Sequence, residues 1–153
     1  MKKLFVTFLF LLLILAFIGC KREVSAENIL RDFLVSYGTE GIIYTPNKMI
    51  HEEGYISEGL LEKVYIYSGE LPDNFALFLN QKSFGGFEAG VFICEDEDER
   101  ASVTEMCYER IDLLTDKEGE GLLIRCRNMI IYTTASDKER AEEILKKIIR
   151  SCY

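Results

Sequence analysis

Phe87-Glu88-Ala89-Gly90-Val91-Phe92-Ile93-Cys94 runs straight into Glu95-Asp96-Glu97-Asp98-Glu99, and this junction decides the fold. The first run has the length of a strand and one charge, Glu88. Alternation sets Phe87, Ala89, Val91 and Ile93 on one face and Glu88, Gly90 and Phe92 on the other, so both faces are largely apolar. The acidic run that follows suits a helix N-terminus, where negative charge is favourable by about 0.3–1 kcal/mol per group. Val103, Met106, Cys107, Ile111 and Leu114 then recur at helical spacing. A calcium loop is excluded: counted from Asp96, the glycine and glutamate an EF-hand needs at positions six and twelve are Ala101 and Cys107.

The pattern repeats outward. Phe75 to Leu79 reads as a strand paired with Phe87–Cys94 across the loop 81–86. Leu122–Cys126 and Met129–Thr134 form a hairpin around Arg127-Asn128, where asparagine tolerates the left-handed conformation of a tight turn. Ser136 or Asp137 caps a last helix with Ala141, Ile144, Leu145, Ile148, Ile149 and Cys152 on one stripe. Hairpin-helix-hairpin-helix order predicts an α+β domain, a four-stranded, mainly antiparallel sheet with the two helices on one face. Phe87, Ala89, Val91, Ile93, Leu122, Ile124 and Cys126 are expected toward those helices. Ala76, Phe78, Glu88, Gly90, Phe92, Leu123, Arg125, Ile130 and Tyr132 are expected on the other face. That face is too apolar for water, so N-terminal helices should cover it. The candidates are Ser25–Tyr37, capped by Ser25 and stopped by Gly38, and a second helix from Ser57 to near Tyr67, with an extended run at Ile42-Ile43-Tyr44 between them.

The N-terminus carries a different signal. Lys2 and Lys3 precede an apolar stretch, Leu4 to Ile18, in which only Thr7 is polar. The stretch is short for a spanning helix, which wants about 20 apolar residues, and it ends in Phe17-Ile18-Gly19-Cys20. That site resembles the lipobox of bacterial lipoproteins, with Phe17 where leucine is usual. The resemblance implies cleavage between Gly19 and Cys20 and lipidation of the Cys20 thiol, so that membrane lipid is a partner through Cys20. Residues 1–19 are then a signal peptide, 20–24 the lipidated cysteine and a short tether, and 25–153 a single domain at the cell membrane, outside the cytoplasm.

Removing 1–19 takes away two of the 18 basic residues and none of the 26 acidic ones, leaving a net charge of −10. So acidic a domain is repelled by phosphate backbones, and nucleic acid is excluded as a partner. The remaining 134 residues bury roughly two-thirds of their unfolded surface, a core that needs no cross-link or metal. Cys94, Cys107, Cys126 and Cys152 have no metal-ligand spacing, and most or all are expected as free, buried thiols.

The runs Leu71-Pro72-Asp73-Asn74-Phe75-Ala76-Leu77-Phe78 and Phe87-Glu88-Ala89-Gly90-Val91-Phe92, with the Glu139-Arg140-Ala141 helix start, are similar to a family of small bacterial lipoproteins carrying a domain of unknown function. The resemblance covers roughly 55–153. It implies lipoprotein status and a single domain, and carries over no catalytic or binding residue.

No catalytic residue, metal site or cofactor is indicated. His51, the one histidine, is followed by Glu52-Glu53 but lacks the second histidine a metalloprotease helix needs, and reads as a solvent-facing side chain in an acidic loop. No nucleophile elbow, phosphate loop or dinucleotide fingerprint is present. The reading is a non-enzymatic binding or interaction module taking a protein partner or small ligand. The alternatives are an extracytoplasmic enzyme without a recognisable motif and a structural accessory subunit of an envelope complex. The candidate groove is Phe84, Glu88 and Arg125, two charges on an otherwise apolar sheet face.

Overall fold

The computed structural model describes residues 24–65, 71–79, 87–115 and 121–153. Among them are four helices, α1 (Ala26–Tyr37), α2 (Glu58–Val64), α3 (Glu97–Leu114) and α4 (Lys138–Cys152). Five strands, β1 (Ile43–Tyr44), β2 (Asn74–Leu79), β3 (Glu88–Ile93), β4 (Leu122–Cys126) and β5 (Met129–Thr133), form one antiparallel sheet in the order β1-β2-β3-β5-β4. The α+β class holds, but the sheet has a fifth strand. The extended run at 43–44 pairs with Phe78 and Leu77 and extends the β2 edge.

The layers also differ from expectation. Helices α3 and α4 lie on opposite faces of the sheet. The first face carries Ala76, Phe78, Ala89, Val91, Leu122, Met129 and Ile131, covered by Ile29, Leu30, Phe33 and Leu34 of α1 together with Ala141, Leu145 and Ile149 of α4. The second carries Phe75, Leu77, Phe92, Ile130 and Tyr132, covered by Val103, Met106, Cys107 and Ile111 of α3 and by Ile56 and Tyr65. The cause is connection geometry. Strands β3 and β4 run in the same direction with β5 between them, so α3 is a crossover and takes one face. α4 follows β5 and joins α1 on the other.

Alternation is right for β3, β4 and β5 and out of phase for β2. Ala76 pairs with Val91 and Phe78 with Ala89, so both belong to the α1–α4 side. A strand apolar on both faces gives no internal sign of which side is which; a shift of one residue swaps them all.

Local chemistry sets the ends. Ser25 accepts from Asn28 N at α1, and Gly38, at φ 83, closes that helix. Asp96 accepts from Glu99 N at 2.8 Å and Asp137 from Arg140 N at 3.0 Å, so Asp137 rather than Ser136 caps α4. In the β4–β5 turn the left-handed residue is Arg127, at φ 55, not Asn128. Asn128 instead bonds Cys94 twice: its side chain donates to Cys94 O at 3.1 Å and its carbonyl accepts from Cys94 N at 2.8 Å.

Phe92 lies on the central strand with no exposure, stacked between Phe75 and Tyr132. Phe92→Ala is expected to lower stability by about 3–5 kcal/mol, the usual cost of emptying a buried aromatic site. A chemical denaturation curve checks this; a midpoint equal to wild type contradicts the two-sided burial.

Candidate functional site

Four polar side chains meet beneath α3. Glu88, at the start of β3, is 7% exposed and accepts two hydrogen bonds from Arg110, Nε to Oε2 at 3.0 Å and Nη2 to Oε1 at 2.7 Å. Arg110 falls among the apolar positions of α3 that face the sheet, and its guanidinium lies 5.8 Å from the centre of the Tyr65 ring. The Tyr65 and Tyr132 hydroxyls share a hydrogen bond of 2.5 Å. Gly90, paired with Tyr132, makes the room: a Cβ there would lie 2.4 Å from Tyr132 Cε1.

The electrostatics follow from burial. Burial lowers the Arg110 pKa, but the hydrogen bonds and charge of Glu88 outweigh it and hold the group above its ordinary value. Burial pushes both tyrosines well above the usual range; at Tyr65 the neighbouring Tyr132 adds to it, and at Tyr132 the charge of Glu88 does. Glu88 and Arg110 satisfy each other through their two hydrogen bonds, and the two tyrosine hydroxyls share theirs.

A cleft of about 900 Å³ opens on the same side. Its floor is Ile56, Tyr65, Pro72 and Phe75, all buried, with Pro46 and Tyr55 forming one wall. At its lip Glu58 and Glu62 of α2 face Asp73, which directly precedes β2; all three are exposed and none makes an ion pair among the described residues. Through Tyr65 the cleft floor is hydrogen-bonded to the buried cluster.

The expected groove does not assemble. Glu88 is taken by Arg110, while Arg125 is exposed on the edge strand β4. Glu88 bonds Thr134 and Arg125 pairs with Ile130, which leaves roughly 16 Å between their backbones, from four residues along the sheet and two strand spacings. Phe84, Gly19 and Cys20 lie outside the described residues. His51 is exposed, as expected. Among the described residues no disulfide forms: Cys94 and Cys107 are buried, Cys126 and Cys152 half-buried. Among the described residues no group of three or more His, Cys, Asp or Glu side chains could hold a metal ion.

The buried acids make stability fall at alkaline pH. Burial raises Cys94 from 9.0 to about 11 and raises Cys107 further, while both tyrosines lie above 10.0. Each group keeps its proton longer folded than unfolded, so its contribution is complete below the unfolded value and is lost as pH rises toward the folded one. Thermal midpoints are expected to decline from about pH 9 upward, and the doubly substituted Tyr65→Phe, Tyr132→Phe protein should decline less steeply above pH 10. Parallel alkaline limbs would show that the tyrosines are not buried as described.

Comparison with protein-family models, curated proteins and solved structures finds no match to this chain.

Proposed function

We propose that this chain is a lipid-anchored lipoprotein whose domain acts outside the cytoplasm as a non-enzymatic binding module, docking a protein partner at the acid-lipped cleft. The observation that carries the reading is the contrast between interior and cleft. Buried Glu88 is paired with half-buried Arg110 and buried Tyr65 with buried Tyr132, whereas the carboxylates of Glu58, Glu62 and Asp73 stand exposed over an apolar floor. A partner that presents basic side chains beside apolar ones complements such a surface, with the charges setting approach and orientation and the apolar contact the affinity. The net charge of −10 left after removal of residues 1–19 reinforces attraction of a basic partner.

The anchor reading rests on Lys2-Lys3, the apolar stretch 4–18 and Gly19-Cys20. Only three residues separate Cys20 from Val24, where the fold begins to grip the chain: Asn74 Nδ2 donates to Val24 O at 3.1 Å and Asn74 Oδ1 accepts from Ala26 N at 3.0 Å. Among the described residues no helix is long and apolar enough to cross a membrane.

Two experiments test this. Cys20→Ala should abolish incorporation of a clickable fatty acid into the protein; equal label in both forms contradicts the anchor. Affinity capture from solubilised membranes should retain a partner with the wild-type chain and lose it with Glu58→Lys, Glu62→Lys. Identical co-purifying proteins in the two captures would contradict docking at the cleft.

A further inference from the structure

We propose that the loop tip Met49-Ile50 dips into the lipid surface as a second, apolar contact that fixes how the anchored domain stands on the membrane. This rests on the lipid-anchor reading above and adds to it a surface and an orientation.

The anchored end of the domain is defined by strand register. Asn74, which holds Val24, pairs with Ile93, Ile93 with Met129 and Met129 with Cys126, so these four residues mark one end of the sheet. Four residue steps from Val24 back to Cys20 span at most some 14 Å. Val24, and with it that end of the sheet, therefore lies within about 14 Å of the bilayer whenever Cys20 carries lipid.

The loop reaches the same end. β1 runs antiparallel to β2, from Ile43 opposite Phe78 to Tyr44 opposite Leu77, and so heads toward Asn74. Pro46 continues that course and lines the cleft with Asp73. The chain must then reverse, because Gly54 returns to the level of Thr45, accepting a hydrogen bond from Thr45 N, and Tyr55 forms a parallel bridge with Thr45. The reversal is the turn in which Glu52 N donates to Met49 O at 2.8 Å and Met49 N donates to Glu52 Oε2 at 2.7 Å. The turn holds two adjacent aliphatic side chains out into solvent, Met49 at 75% and Ile50 at 67% exposure. Lys48 precedes them. At the same end the half-exposed ring of Tyr153, beyond α4, stacks on Arg127 in the β4–β5 turn, the kind of amphipathic ring that settles at a membrane interface.

Two aliphatic side chains bind lipid weakly alone. Tethering by Cys20 makes their insertion intramolecular, and the high effective concentration lets a weak contact set orientation. The acidic run Glu95–Asp98 shares this end, so insertion is driven by apolar contact and is favoured over neutral lipid.

The chain contains no tryptophan, so one introduced indole reports a single place. Ile50→Trp and Val35→Trp, the second an exposed site near the far end of α1, are made in the full-length protein, which is purified from membranes and reconstituted into phosphatidylcholine vesicles with or without brominated acyl chains. The Ile50→Trp emission should shift to the blue and lose roughly half its intensity over brominated lipid, as an indole at interfacial depth does, while Val35→Trp is unchanged. Equal, negligible quenching of both in protein that floats with the vesicles overturns the loop contact and leaves the anchor standing. Protein that fails to float and whose N-terminal peptide has no acyl mass overturns the anchor, and the loop contact with it.

Discussion

The central strands are apolar on both faces, and neither face can be left to water. Val91 and Ile131 face one way, Phe92 and Ile130 the other, and all four are buried. Burial of such side chains is worth about 1.5–3 kcal/mol each, so the chain must supply two covers for one sheet. It does so with α1 and α4 on one side and with α3 and the 55–65 segment on the other. The remaining features depend on that arrangement: the cleft lies beside the second cover and shares Ile56, Tyr65 and Phe75 with it, and the start of the domain is pinned because α1 must begin where β2 begins.

Covering the second face with an arginine-bearing helix requires an acid to meet it. A buried guanidinium without a partner is strongly destabilising, and so is a buried carboxylate. Glu88 and Arg110 solve the problem jointly, with two hydrogen bonds in the planar geometry that arginine favours. The adjacent tyrosine pair is a smaller case of the same requirement, since each buried hydroxyl finds the other. The interior charges are matched internally, Thr45 Oγ1 being the one buried side-chain oxygen or nitrogen without a hydrogen-bond partner among the described residues, and the domain presents its remaining acidity to the outside.

Much of this was legible in residue patterns and some was not. Helix starts at Ser25 and Ser57 follow from capping chemistry, and the structure has them there; the acidic run 95–99 marks the start of α3 without singling out its cap, Asp96, and Ser136 and Asp137 are equal candidates at α4, where Asp137 is the cap. The facing of β3, β4 and β5 follows from alternation. β2 does not, because Phe75-Ala76-Leu77-Phe78-Leu79 is apolar throughout and only its register with β3 fixes the phase. The two-residue β1 is too short for periodicity to mark it as a strand. The partner of Glu88 had a readable sign: Arg110 sits between Cys107 and Ile111 on the buried stripe of α3, and a cation in such a stripe calls for an acid on the facing strand. With that stripe expected on the face of the last helix, the match is hidden, and Arg125 is the one base expected on the face of Glu88. The cleft joins residues 46, 58 and 73, brought together only by long-range packing, and no local pattern marks it.

The division of the helices between the two faces is the claim on which the cleft, the buried cluster and the anchored end all depend. Nuclear Overhauser contacts in the isotopically labelled protein test it directly. Side-chain protons of Leu30 and Phe33 in α1 should show cross-peaks to Ala141 and Leu145 in α4, and those of Met106 and Cys107 in α3 to Phe92 and Tyr132. Cross-peaks from α1 to Met106 or Cys107, with none to α4, would place α1 on the opposite face and contradict the account.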